Sequence, residues 1–263
     1  MGQTLPQDRL KLPQVTLLAI TSVNVEATIR ALQACLAQVE FAACKLLTHA
    51  RIEREIAGIE VVKIRRLASS KAYSLFVLSE LADHIETSHC LISQWDGYIL
   101  DAGRWSAQFL QYDYIGASWP QFSDGHDVGN GGFSLRSKRL LEACRDRDFR
   151  RSYPEDLAIG RLNRDWLERQ GLRFADRHTA DQFSAEDAGD IRTSFGYHGI
   201  WHMLHVLGAA GFWDIYQSLD DQTTARHNFS TLFKQVRKGP GGWARGFRFW
   251  WDHIRYAMHF RKK

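Results

Sequence analysis

The sequence predicts an α/β fold: a mostly parallel sheet flanked by helices, Rossmann-like in its alternation, with an α-helical extension at the C-terminus. Two observations carry this. Apolar, partly β-branched runs of strand length alternate with segments of helical period through the first half of the chain. After residue 205 the strand signals stop and helix-compatible runs continue to the end.

Val15 to Ile20 is an apolar run of strand length that ends at Thr21-Ser22, and Glu26 to Ala37 follows with Ile29, Leu32 and Leu36 on one helical face. Phe41 to Thr48 and Ile59 to Ile64 read as the second and third strands. Tyr73 to Ile85 reads as a helix turning Leu75, Phe76, Leu78, Leu81 and Ala82 inward, and His89 to Gln94 as the fourth strand. In parallel sheets of this kind ligands bind beyond the carboxyl ends of the strands, so Thr21-Ser22 and Gln94-Trp95-Asp96 are expected on one edge. Further on, Trp105 to Leu110 predicts a short helix and Tyr112 to Gly116 a strand. Gln121 to Gly129 is polar and turn-rich and reads as a mobile loop. Gly131 to Leu135 is a strand start, and Ser137 suits an N-cap for a helix reaching Asp146. A single helix is expected from Pro154 to Gly171 with Ile159, Leu162 and Trp166 inward, then a short strand at Leu172 to Ala175. The expected layout is an N-terminal arm at 1–13, an α/β domain at 14–205 and a helical extension at 206–263.

At 44% hydrophobic and 24% charged residues the 263-residue chain has the composition of an ordinary globular protein. From Lys234 to Lys263 nine basic residues face Asp252 alone, a local charge of +8; taken from the total of +4, this leaves −4 for the first 233 residues. The basic surface therefore belongs to the tail, and the acidic remainder argues against nucleic acid as a partner. Cys35, Cys44, Cys90 and Cys144 have no C-x-x-C spacing and sit among apolar residues, which suits buried thiols in a reducing compartment. Met1 to Leu12 lacks the apolar core of a signal peptide, and no stretch reaches the ~20 apolar residues of a membrane span. The expectation is a cytoplasmic protein. Neither G-x-G-x-x-G nor G-x-x-x-x-G-K-[ST] occurs, which argues against dinucleotide and P-loop sites.

The motifs that carry chemistry are Gln94-Trp-Asp-Gly-Tyr98, Tyr112-Asp-Tyr-Ile-Gly-Ala117, Val128-Gly-Asn-Gly-Gly-Phe-Ser-Leu-Arg136, Pro154-Glu-Asp156 and Phe195-Gly-Tyr-His-Gly199. In their order and wording they resemble a bacterial family of GT-A-like glycosyltransferases associated with surface-polysaccharide synthesis, lipopolysaccharide or capsule. The resemblance spans roughly residues 14–202. It implies a nucleotide-sugar donor, a glycan or lipid-linked acceptor, and Mn²⁺ or Mg²⁺ on the donor diphosphate. Enzymes of this fold hold the metal with Asp-x-Asp at the end of the fourth strand; here Asp96 is its last acid and Gln94 stands in place of the first. Inverting galactosyltransferases of the fold carry a Gly-Gly strand start, a Gly-Glu-Asp segment whose Asp is the base, and a metal-binding His. Gly131-Gly132, Glu155-Asp156 and His198 follow that order, so Asp156, with Glu155 behind it, is the expected base and Asp96 and His198 the expected metal ligands. Bare backbone at Gly131 and Gly132 would leave room for the donor sugar.

Each of these residues has a plainer reading as well. Asp96-Gly97 is a strong turn signal. Glu155 and Asp156 suit a helix N-terminus, whose dipole would lower the Asp156 pKa. His202 and His205 lead into an ordinary helix and are expected to pack. Thr21 and Ser22 are candidates for nucleotide contact on fold analogy, and Trp119, His126 and Asp127 for acceptor contact. Two rival functions share the residues: a catalytically inactive nucleotide-sugar-binding scaffold subunit, and a metal-dependent phosphoesterase or nucleotidyltransferase.

In the tail, Gly239-Pro-Gly-Gly242 breaks the chain. Trp243, Phe247, Trp250, Trp251, Ile254 and Met258 then recur at helical spacing, with Arg245, Arg248 and Arg255 on the remainder and Arg261-Lys-Lys263 at the end. This mixture suits an anionic membrane surface and a peripheral position on the inner face of the cell membrane. The competing reading is a helix docked on its own domain, because Phe249, Tyr256 and Phe260 spread aromatics beyond one face.

Overall fold

The computed structural model describes residues 9–260. They form two compact units that divide after His198.

The first unit runs β1 (Leu10–Thr21), α1 (Val25–Leu36), β2 (Val39–Thr48), β3 (Glu60–Lys63), α2 (Ser70–Ser79), β4 (His89–Ser93), β5 (Tyr114–Ile115), β6 (Phe133–Ser137) and α3 (Lys138–Ala143). It continues with α4 (Glu155–Leu157), α5 (Arg164–Arg169), α6 (Arg177–Phe183), β7 (Ser184–Ala185) and β8 (Gly196–Tyr197). Six strands form one sheet in the order β3-β2-β1-β4-β6-β5. The four strands β1 to β4 pair in parallel, as the alternation predicts. Their side chains are apolar on both faces because helices cover both: Leu17, Leu18, Leu46, Leu47, Leu91 and Ile92 are all fully buried.

The sheet reverses at β6, which is antiparallel to β4 and pairs Ser93 with Phe133 and His89 with Ser137. An antiparallel neighbour begins where a parallel one would end, so the residues just before Phe133 lie at the carboxyl edge of β4. Gln94 accordingly donates its backbone N–H to Gly132 O at 2.9 Å. A two-stranded parallel ribbon, β7 with β8, lies outside the main sheet, and its Gly196 bridges to Ile99.

Several elements differ from their expected form. β1 starts at Leu10, within the segment expected as an arm, because Leu10 to Leu12 pair with Val39 to Phe41 before a register shift; residues 1–8 lie outside the described residues. The helix expected over Tyr73–Ile85 ends at Ser79 and resumes as a 3₁₀ turn at Leu81–His84, leaving Leu75 exposed. The helix expected over Pro154–Gly171 is three pieces. A π-turn at Ala158–Leu162 separates α4 from α5, and the extra residue rotates Leu162 outward to 40% exposure while Ile159 stays fully buried. Asn163 fixes the break, donating to Ala158 O at 2.8 Å and exchanging bonds with the Arg150 backbone. Leu172–Ala175 contributes only a bridge between Phe174 and Tyr114. The Gln121–Gly129 segment is tied down by Arg161, which holds Asp124 and His126 O, and by Arg177, which holds Phe122 O. All four cysteines are buried and unpaired, and burial pushes the Cys35 thiol up to about 12.

The second unit is helical: α7 (Ile200–Ser218), α8 (Thr223–His227), α9 (Phe229–Val236) and α10 (Gly242–Phe260). α7 kinks at Gly208, whose φ is 68°. His202 is half-buried beside Trp201, whereas His205, expected to pack, is exposed. Among the described residues no helix is long and apolar enough to cross a membrane.

Backbone crowding around β5 and β6 makes a direct stability prediction. A Cβ at Gly116 would lie 1.9 Å from Gly129 O and 2.6 Å from Asn130 O, both backbone atoms that cannot swing away. Gly116→Ala is expected to destabilise the chain by about 3 kcal/mol, read as a lower urea midpoint; an unchanged midpoint would mean the loop yields freely.

Candidate active site

Three stretches of backbone meet beyond the carboxyl edge of β4. The first is the turn Gln94–Gly97, closed by Gly97 N to Gln94 O at 3.1 Å and braced by Ser93 Oγ on Gly97 O at 2.6 Å. The second is Asn130-Gly131-Gly132. Asn130 adopts the left-handed conformation (φ 64°), its Oδ1 accepts from Gly132 N at 2.9 Å, and its backbone O accepts from the Tyr114 hydroxyl at 2.8 Å. The third is Gly196-Tyr197-His198, at the end of the small ribbon, where His198 N reaches Ala185 O.

Glycines let these stretches close on one another. A Cβ at Gly132 would fall 2.0 Å from His198 Nε2, one at Gly131 2.2 Å from Glu155 Oε1, and one at Gly97 2.7 Å from Tyr197 O. Gly196 faces the ring of Phe133 in the same way, and Phe133 is locked against Phe183 and Phe195. The space at Gly131 and Gly132, expected for a donor sugar, is therefore occupied by Glu155 and His198.

On the His198 side, Nδ1 contacts Glu186 Oε1 at 2.7 Å, while Nε2 lies 3.4 Å from Asp96 Oδ1 and 3.3 Å from Gln94 Oε1. Burial works against a charge on this imidazole, but Glu186 and Asp96 outweigh it and push its pKa well above the ordinary value. Asp96 is itself buried, and its Oδ1 makes no hydrogen bond. A buried carboxylate oxygen, an amide oxygen and an imidazole nitrogen converge here. That donor set fits Mn²⁺, or Mg²⁺ with more water, if phosphate oxygens complete the shell and the metal displaces the proton from Nε2. A carboxylate on the far ring nitrogen, as Glu186 provides, fixes the orientation of a metal-binding histidine.

On the Glu155 side, Arg136 Nη2 donates to Glu155 Oε1 at 3.1 Å and Ser74 Oγ to Oε2 at 3.1 Å. Ser74 Oγ also accepts from Glu155 N at 3.2 Å, which pins the start of α4 to α2. Arg136 is fully buried; burial opposes its charge, but Tyr114, Glu155 and Tyr73 outweigh that and hold it protonated. Asp156 is half-buried, and its Oδ1 accepts the Leu157 N–H at 2.8 Å. Its carboxyl is pushed up to about 6 by burial and by the neighbouring Glu155 charge, against the Leu157 hydrogen bond and Arg136. The helix dipole was expected to lower it; α4 has only three residues, and desolvation wins. Tyr73 joins the two sides, its hydroxyl 3.4 Å from Gln94 Nε2 and its charge environment set in part by Glu155 and Asp156.

The structure thus brings together Asp96, Gly131, Gly132, Glu155, Asp156 and His198. The other candidates have partners of their own. Thr21 holds a local turn through Val23, and Ser22 Oγ accepts from Leu67 N at 2.9 Å. Trp119 is buried against Phe122 and the bare backbone of Gly129 and Gly160. Asp127 is paired with Arg177 at 2.7 Å, and His126 faces Asp165 at 3.5 Å. Three residues of the site went unassigned in the sequence. Arg136 is the single charge in the strand Phe133–Ser137, which is a signal; Tyr73 and Glu186 sit in segments with no motif around them.

These features define an α/β domain with an acid–imidazole pocket at the carboxyl edge of its sheet. The family described as "protein of unknown function (DUF5672)" matches residues 57–198, more than half of the chain, and the chain belongs to that family. No curated protein matches it. Among solved structures, a glycosyltransferase involved in the glycosylation of the major capsid of PBCV-1 is similar at 12% identity and a TM-score of 0.44, over 71% of this chain and 93% of that one. An active-site mutant of LgtC is similar at 13% identity and a TM-score of 0.40, over 78% and 96%.

The Arg136–Glu155 pair makes a prediction of its own. Arg136→Met is expected to cost about 3–5 kcal/mol, because it leaves Glu155 buried without its cation. Adding Glu155→Gln should recover part of that loss in urea unfolding; strict additivity of the two changes would show that the pair is not coupled.

Proposed function

We propose that this chain is a metal-dependent, inverting glycosyltransferase. It would move a sugar from a nucleotide-sugar donor to a glycan or lipid-linked acceptor in bacterial surface-polysaccharide synthesis, on the cytoplasmic side of the membrane. The observation that carries the reading is the pairing of two unlike groups across Gly131-Gly132: the Asp96–Gln94–His198 donor set on the Gly132 side, and on the Gly131 side Glu155, whose neighbour Asp156 carries the high-pKa carboxyl. The order of the sequence motifs supports it as well.

In this reading Asp96 and His198, with Gln94, hold Mn²⁺ or Mg²⁺. When bound, the metal neutralises charge that builds on the leaving diphosphate. Asp156 takes the proton from the acceptor hydroxyl as that oxygen bonds to the anomeric carbon and the bond from that carbon to the diphosphate oxygen breaks. Attack from the face opposite the leaving group inverts the anomeric centre. A carboxylate with a pKa near the working pH is a better base than an ordinary aspartate. Glu155, paired with Arg136 and bonded to Ser74, fixes the start of α4, where Asp156 follows it. Thr21 and Ser22 stay candidates for nucleotide contact by their place at the end of β1, next to β4.

The uncharged Gln94 in place of an acid favours one alternative, a nucleotide-sugar-binding subunit without turnover. Donor hydrolysis or transfer that requires Mn²⁺ separates the two, and the absence of both, with donor binding intact, would favour the subunit.

Asp96→Ala is expected to abolish Mn²⁺-dependent binding of a nucleoside diphosphate in calorimetric titration. Unchanged affinity in the folded variant would remove Asp96 from the metal site. Asp156→Asn should retain donor binding and lose about 10²–10⁴-fold in transfer. Because the base must be ionised, kcat/KM should rise about tenfold per pH unit and level off above about pH 6. A variant that turns over at the wild-type rate, or a wild-type profile flat through this range, would remove Asp156 from the role.

A further inference from the structure

The sequence leaves two readings of the tail, a membrane anchor and a helix docked on its own domain. The structure has features of both, on different faces. Gly242, Gly246 and Phe249 are buried, and His253 stacks on Phe229 with ring centroids 4.0 Å apart. Phe249 packs on Tyr216 of α7 and Phe229 of α9. This stripe, at helical spacing, holds α10 to its own unit.

A second face remains uncovered. Trp243, Phe247, Trp250, Trp251 and Met258 are exposed, Trp243 by 81% and Phe247 by 66%. At 3.6 residues per turn these five fall within about 100° of arc. Beside them an open apolar slot of about 270 Å³ lies between α9 and α10, lined by Phe233, Arg237, Trp243, Gly246, Phe247 and Trp250. The Arg237 guanidinium sits 4.9 Å from the Trp243 ring and 5.1 Å from that of Phe233.

The charges decide what covers this face. Arg248 and Arg255 are exposed along its border. Asp252, the sole acid between Lys234 and Lys263, is turned inward, where it accepts from Tyr216 OH at 3.2 Å and from Arg248 Nε at 3.3 Å. Arg245 is spent on the backbone carbonyls of Val236 and Lys238 at the Gly239–Gly242 turn. The outward surface therefore combines large aromatic rings with basic charge and no acid.

We infer that this face of α10 docks on an anionic lipid bilayer surface, with Trp243, Phe247, Trp250 and Trp251 entering the boundary between head groups and acyl chains and the arginines facing the head groups. The helix lies on the membrane rather than across it, since it is not apolar enough to span one. A second copy is disfavoured as the occupant because it would bring two segments of charge +8 together. A nucleic acid would satisfy the arginines but leave most of the aromatic face in water. This inference is independent of the glycosyl-transfer reading.

The test uses the full chain with vesicles of phosphatidylcholine alone and of phosphatidylcholine mixed with phosphatidylglycerol. Wild type is expected to co-sediment with the mixed vesicles and about tenfold or more weakly with the neutral ones. Its tryptophan emission should move to shorter wavelength on binding. Trp243→Ala/Phe247→Ala/Trp251→Ala removes only exposed side chains, so its circular dichroism and thermal midpoint should match wild type while vesicle partitioning falls about 100-fold or more. Arg248→Gln/Arg255→Gln should erase most of the preference for anionic lipid. Equal pelleting of wild type and the aromatic variant overturns the proposal. So does wild type that ignores anionic vesicles, including a wild type whose aromatic face instead supports self-association or binding to duplex DNA.

Discussion

The candidate site depends on one steric constraint: at Gly97, Gly131, Gly132 and Gly196 there is no room for a side chain. Each hydrogen in place of a Cβ lets another segment come within contact distance, and what fills those places is chemically specific. The ring of His198 lies on Gly132, the carboxylate of Glu155 on Gly131, and the ring of Phe133 on Gly196. A well-packed interior cannot absorb even one added carbon without moving its neighbours. The glycines thus set the separation between the imidazole side and the carboxylate side, and Phe133, held in its aromatic cluster, prevents the strand from sliding.

That geometry has an electrostatic consequence. Four acids, Asp96, Glu155, Asp156 and Glu186, share a region of low exposure, where a charge that has left water needs a partner. Arg136 compensates Glu155 directly, and its second partner, Ser134 Oγ at 3.1 Å, keeps it aimed along the strand. His198 stands between Glu186 and Asp96. Asp156 is left with a single backbone hydrogen bond and no cation in contact, so the unbalanced charge of the group falls on it. Burial and the Glu155 charge consequently push the Asp156 carboxyl up to about 6.

Much of this was legible in the sequence. Runs such as Val15 to Ile20 and His89 to Gln94 declare buried parallel strands because both faces of the sheet need apolar side chains, and the glycine pair and the acids after it announce a site. The direction of β6 was not legible: Phe133 to Ser137 reads the same whichever way it runs, and only pairing against β4 settles it. The broken helix after Pro154 was hidden because a π-turn leaves no mark in local propensity, and with it the outward turn of Leu162. Glu186 was invisible because its role comes from a two-residue ribbon that places it under His198. In the tail the periodicity of the aromatics was plain, but not that Phe249 would turn inward while Trp243 stayed out, since that depends on Tyr216 and Phe229.

The reversal of β6 also governs when the pocket comes into being. His198 and Gln94 are 104 positions apart in the chain, and Glu155 and Ser74 are 81 apart, so hardly any of the pocket is made from local contacts. Loops of that length must close before their contacts return any stabilisation. During synthesis the leading strands can associate early, but the imidazole that completes the pocket leaves the ribosome only after nearly the whole α/β unit. A nascent chain therefore carries its four parallel strands, complete at Ser93, for about a hundred residues of synthesis before the site can assemble.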